Sequence, residues 1–261
     1  MYLLGYLCAM PRYALRLAYK GTAYHGWQVQ ANAHTVQAEL NRAMSLLLRE
    51  PADTLGCGRT DTGVHALQFY IHFDTEQPVI SNFVYKLNQI LPDDIVIYEL
   101  YTAAPDFHAR FSATLRSYEY IICRVPDPFM VHRAWHWHQQ LNIEKMNEAA
   151  SLLLTYTNFE SFSKVHTQVD NFNCDVSKAV WKQEGSQYKF YISANRFLRN
   201  MVRAIVGTTV EVGNSKLDVD GFKEIIEQRD RRKAGESVPA QGLYLTEVIY
   251  PDGLLTSLQS L

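Results

Sequence analysis

No apolar run in this 261-residue chain is long enough to cross a bilayer, which takes about 20 residues. The first candidate, Tyr2 to Met10, has no basic segment before it and no small-residue cleavage site, so it reads as neither an anchor nor a secretory leader. Met10 is a second candidate start. Cysteine is scarce: Cys8, Cys57, Cys123 and Cys174 stand at no zinc-site spacing, and a chain of this length needs no disulfide framework. Reduced thiols and a cytoplasmic setting are expected. Neither sign of charge is in excess, the formal net charge being −2. That argues against a protein that coats nucleic acid with its whole surface, so any RNA contact must come from a local patch. Walker A loops, dinucleotide fingerprints and G-x-S-x-G elbows are absent.

What is present is the balance of a globular protein, 47% hydrophobic and 20% charged residues. Tyr13, Leu15, Leu17 and Tyr19 alternate with Ala14, Arg16 and Ala18, which predicts a strand over 12–19. Thr35 caps a helix reaching about Arg49, with Val36, Leu40, Ala43 and Leu47 inward and Pro51 beyond its end. Further on, Gln68–Phe73 alternates as a strand, a short helix spans about Ser81–Leu91, and a strand covers Ile95–Tyr101.

The second half repeats the mixture. A strand over Leu115–Cys123 sets Arg116, Tyr118, Tyr120 and Ile122 on one face, and Asn142 caps a helix to about Leu154. Lys178–Glu184 and Tyr188–Ala194 form a hairpin around Gly185. A helix over Asn195–Val212, another over Asp220–Asp230 and a strand over Leu243–Tyr250 complete the reading. The order predicts an α+β protein of two similar halves, 1–110 and 111–261, pooling their strands into one mixed, largely antiparallel sheet with flanking helices.

Three places can carry chemistry. Gly58-Arg59-Thr60-Asp61-Thr62-Gly63-Val64-His65-Ala66 puts a carboxylate between two glycines on a loop, either a plain turn or a site for nucleophilic or acid–base work. On a helix, Arg196, Arg199 and Arg203 fall within about 60° of one another, opposite Phe197, Met201 and Ile205. Such a stripe is a solvated face or a grip on phosphates. Tyr118 and Tyr120 on their strand are core rings or platforms for a nucleobase. His132, His136 and His138 lack a metal-binding pattern, and Arg229–Lys233 reads as a solvated helix end that could also reach a phosphate.

Taken in order, the blocks Gly21–Gln28, Gly58–Ala66, Phe107–Thr114, Tyr118, Phe197–Arg203 and Pro239–Leu245 resemble the tRNA pseudouridine synthase A family, a likeness running from Tyr13 to Pro251. The sequence departs at Lys20, where an acidic residue is expected, and at Thr62 and Arg196, where smaller ones are.

The resemblance implies a pseudouridine synthase fold with a central RNA-binding cleft. The implied activity is isomerisation of uridines 38 to 40 in the anticodon stem-loop of tRNA, with no cofactor or metal, by a homodimer. Asp61 matches the catalytic carboxylate and Arg203 the arginine that pairs with it. Tyr118 matches the tyrosine beside the target base, and Arg59, Arg110 and Arg199 are expected to hold RNA. The target must be flipped out, and shape and phosphate contacts should dominate its selection. Alternatives are a synthase for another RNA and a non-catalytic RNA-binding protein of the same fold.

Overall fold

The structure, a computed structural model, describes residues 10–165 and 171–261. Residues 2–9 of the apolar opening segment, Cys8 among them, lie outside the described residues. In chain order the strands of the first half are β1 (Arg12–Tyr19), β2 (Leu55–Gly56), β3 (His65–Asp74) and β4 (Ile95–Ala103). Those of the second are β5 (Leu115–Cys123), β6 (Trp135–His136), β7 (Val176–Glu184), β8 (Gln187–Ala194), β9 (Leu243–Ile249) and β10 (Leu255–Ser260).

All ten join one sheet ordered β10-β4-β1-β3-β9-β5-β8-β7, with β2 attached to β3 and β6 to β5. β1 lies between β3 and β4, antiparallel to both, and β5 lies likewise between β8 and β9. The two sets meet where β3 runs parallel to β9, at His65 opposite Tyr244 and Ala66 opposite Leu245, and β10 crosses back to pair antiparallel with β4 at the far edge. A mixed, mainly antiparallel α+β sheet results, as the sequence predicts.

The alternation of β1 and β3 sets Leu15 opposite Ile71 and Leu17 opposite Phe69. α1 (Val36–Leu48) and α2 (Phe83–Ile90) bury Leu40, Met44, Phe83 and Leu87 in the same cluster. A second cluster joins Tyr120, Phe190 and Trp181 to Met146 of α3 (Ile143–Leu152), Ile205 of α4 (Met201–Gly213) and Phe222 of α5 (Val219–Gln228). Burying apolar side chains at about 25 cal/mol per Å² is the main force holding these layers. The caps match the sequence: Thr35 accepts from the Ala38 amide and Asn142 from the Lys145 amide.

One helix begins later than the sequence predicts. β8 continues to Ala194, and the Asn195 side chain then hydrogen-bonds Asp175 through both its oxygen and its nitrogen. Asn200 follows in the left-handed region, at φ 66°. A right-handed helix cannot pass through such a residue, so α4 starts at Met201. Arg196 and Arg199 therefore precede the helix, and the three-arginine helical stripe does not exist. The short β2, β6 and β10 were not anticipated.

Candidate active site

The loop carrying Asp61 is held from beneath by the Gly21–Trp27 segment. The Trp27 amide donates to the Thr60 carbonyl at 3.2 Å, and the Gly63 amide to the Tyr24 carbonyl at 3.3 Å. The Tyr19 and Thr60 hydroxyls are 2.9 Å apart. Gly26 has φ +89°, and a Cβ there would stand 2.4 Å from the Thr60 carbonyl oxygen. Only glycine lets the backbone come this close.

Arg203, in the first turn of α4, faces Asp61 across the seam between the two cores. Its Nη1 donates to Asp61 Oδ2 at 3.1 Å and its Nε to the Val238 carbonyl at 2.7 Å. The Val238 amide returns a bond to the Arg203 carbonyl at 3.3 Å. The Asp61 and Arg203 side chains are 29% and 20% exposed. The acid is thus charge-paired and still open to a ligand.

The 234–238 segment that fixes Arg203 is itself anchored. Arg231 donates to the Ala234 and Gly235 carbonyls and to Ser237 Oγ, and the Asn200 amide group also bonds Ser237. A Cβ on Gly207 would fall 1.9 Å from the Glu236 carbonyl oxygen, so α4 packs directly on this segment. Arg231 is therefore no solvated helix end. Its sequence neighbours Asp230 and Arg232 pair with each other, which hid its separate role in a charge run.

Arg199 approaches more loosely. Its Nε lies 4.0 Å from Asp61 Oδ1 and its side chain is 61% exposed. Tyr118, on β5, is half-buried and meets Phe197 edge to face at 5.1 Å between ring centroids. Burial raises the Tyr118 phenol above its ordinary value, with smaller contributions from Cys57 and Asp61. It is a neutral hydroxyl at physiological pH. Helical spacing puts Phe197 on the apolar side of a helix, but α4 begins only at Met201, so Phe197 is free to meet Tyr118.

Arg59 and Arg110 are exposed and neither is ion-paired to Asp61. Arg110 lies over the Phe111 ring at 5.3 Å. Its guanidinium is lowered from its ordinary value by partial burial, then by repulsion from Arg59, Arg116 and Arg196. Those four cations share one region. Two hollows, of about 360 and 330 Å³, lie elsewhere, lined by Tyr24 and Glu39 and by Tyr70 and Tyr250 respectively. Asp61 lines neither; it is partly exposed between Arg203 and Arg199, a cationic setting that suits a polyanion.

Among the described residues, no three His, Cys, Asp or Glu side chains are placed to hold a metal, and no helix is long and apolar enough to cross a membrane. In the segment 131–138 the three histidines are exposed, while Trp135 and Trp137 pack on the second core and the backbone accepts hydrogen bonds. The His132 carbonyl accepts from His65 Nε2–H, and the Arg133 carbonyl from the Tyr244 hydroxyl.

The mixed, mainly antiparallel α+β sheet is the fold of the pseudouridine synthases, and the Asp61–Arg203 pair lies where its two cores join. The family profile described as tRNA pseudouridine synthase matches residues 149–251. The tRNA pseudouridine synthase A of Parabacteroides distasonis is 47% identical over 94% of this chain and 98% of its own. That of Bacteroides fragilis is 48% identical over 93% and 98%, and that of Acetivibrio thermocellus 41% over 92% and 100%. The chain belongs to the tRNA pseudouridine synthase A family.

Proposed function

We propose that this protein converts uridine to pseudouridine in the anticodon stem-loop of tRNA, at positions 38 to 40, with Asp61 as the catalytic carboxylate. The observation that carries the reading is the Asp61–Arg203 pair, half-open at the seam. The bond from ribose C1′ to uracil N1 breaks, the freed ring turns, C5 bonds to C1′, the C5 proton leaves and N1 takes up a proton, so the atoms balance. Attack by the carboxylate on C1′ and removal of a sugar proton both begin from an ionised acid. Arg203 aims it, because its own position is fixed by the Val238 carbonyl.

Tyr118 contributes a ring beside the target base. Because its phenol stays neutral, it can take the C5 proton only while passing its own proton on, as a relay and not as a phenolate. Arg59, Arg110 and Arg199 hold phosphates around the opened nucleotide. Family membership also supports a homodimer working in the cytoplasm, where light scattering on the purified protein should give twice the 30.0 kDa chain mass.

The test is tritium release from tRNA carrying 5-tritiated uridine. The wild-type protein should release it, whereas Asp61→Asn should bind tRNA and release none. Turnover by D61N near the wild-type rate removes Asp61 from its role. A wild type that binds tRNA without turnover leaves only an RNA-binding protein. In RNA from cells lacking the protein, pseudouridine surviving at 38 to 40 but lost elsewhere assigns it another RNA.

A further inference from the structure

We infer that Arg116 is a positioning residue, a single guanidinium that sets the loop carrying Asp61 against the segment leading to Arg199 and Arg203. The inference rests on the reading above that this acid–arginine pair does the chemistry. Arg116 lies on β5 two residues before Tyr118 and is only 9% exposed. Its Nε and Nη2 donate to the Cys57 carbonyl at 3.3 and 3.0 Å. Nη2 also donates to the Arg110 carbonyl at 2.5 Å, and Nη1 to the Asn195 carbonyl at 3.0 Å.

Each acceptor stands at the root of a segment that reaches the site. Cys57 leads into the Asp61 loop, and Asn195 into the Arg196–Asn200 segment at the head of α4. Arg110 carries the exposed cation beside Phe111. The three belong to parts of the chain distant in sequence, and each offers only a backbone carbonyl. A planar fork of five N–H groups can satisfy all three at once, whereas a lysine ammonium offers three donors about one point.

The second feature is charge. Among the described residues no carboxylate pairs with Arg116. A buried cation with no counter-ion is unfavourable unless hydrogen bonds or a ligand offset it. Packing alone is served by an apolar side chain. What Arg116 adds is a fixed distance between the segments that follow Cys57 and Asn195. One loop carries Asp61 and the other leads into the helix that carries Arg203, a pair that must meet within a fraction of an ångström.

Misplacing reacting groups by about 1 Å lowers rates by about 100-fold. Arg116→Lys keeps the charge and loses the fork. Its single-turnover rate at saturating tRNA should fall by about that factor, with the tRNA dissociation constant within about threefold of wild type. Arg116→Gln should lose rate at least as severely. Ile122→Val, in the core on the same strand, is the control for general loosening. It should lower Tm by about 2–4 °C and leave the rate alone.

A folded R116K with a rate within threefold of wild type overturns the inference. So does a rise in dissociation constant matching the fall in rate, which makes Arg116 a binding residue. Failure of both Arg116 variants to fold makes it a structural one and overturns the inference equally. A wild type that releases no tritium removes the parent reading as well, a result distinct from an active wild type beside an active R116K.

Discussion

Arg203 Nη1 lies 3.1 Å from Asp61 Oδ2 although the two residues are 142 positions apart, one on the head of a helix from the second core and one on a loop of the first. The parallel pairing of β3 with β9 brings the two cores side by side where this contact forms.

Arg203→Lys should therefore harm chemistry more than folding. Lysine cannot reach both Asp61 and the Val238 carbonyl, so the aim of the carboxylate is lost. Because both side chains remain partly exposed, solvent screens the pair, and its loss should lower unfolding free energy by about 1–3 kcal/mol, short of the figure for a fully buried pair. Urea unfolding and single-turnover tritium release check the two halves. A stability loss above about 5 kcal/mol with unchanged turnover contradicts the assignment.

Arg199, by contrast, is long, exposed and 4.0 Å from the acid. Arg199→Ala should weaken tRNA binding and flatten the plot of log affinity against log salt by about 0.7–0.9, the share of one phosphate contact. The single-turnover rate at saturation should stay within about threefold. A salt slope equal to that of wild type removes Arg199 from the phosphate contacts.

These two arginines show where the sequence was legible and where it was not. Strand alternation in 12–19 and 115–123, and the caps at Thr35 and Asn142, are local signals, and the structure reproduces them within a residue or two. Helical spacing put Arg196, Arg199 and Arg203 on one stripe, because nothing local announced that Asn200 would turn left-handed. The Arg203–Asp61 contact survives that error, since it depends on the head of α4 and not on the missing turns. Arg116 and Arg231 were unreadable for another reason: both bind backbone carbonyls, which leave no trace in residue type. β10 went unseen because its Leu-Thr-Ser-Leu-Gln-Ser pattern is polar and its partner, β4, is remote in the chain.

Gly26 should be among the least replaceable residues of the first half. An added Cβ meets the Thr60 carbonyl oxygen at 2.4 Å, and φ +89° is unfavourable for any L side chain. Gly26→Ala should lower stability by about 1–3 kcal/mol and, by pushing Thr60, move its neighbour Asp61. Turnover should fall at least about tenfold while the salt dependence of tRNA binding stays unchanged. Near-wild-type turnover in a destabilised G26A would mean that the loop absorbs the shift without moving the acid.

Stability should also fall on mild acidification, for a reason outside the site. His72 is buried on β3 and its Nδ1 accepts the Ala109 amide at 3.2 Å. Burial, and then the nearby Arg12, pull its pKa down to about 4. Burial lowers His65 as well. A histidine depressed in the folded state binds its proton more readily when unfolded. The stabilising effect of keeping it neutral is therefore complete above the unfolded value of about 6.5 and declines as pH falls toward 4, where it levels off. Each such residue contributes a slope of at most about 1.4 kcal/mol per pH unit. His72→Gln, which cannot titrate, should be less stable at pH 7 but lose less on going to pH 5, so that the two urea-unfolding curves converge. Parallel losses in wild type and H72Q would show that the acid sensitivity arises at other groups.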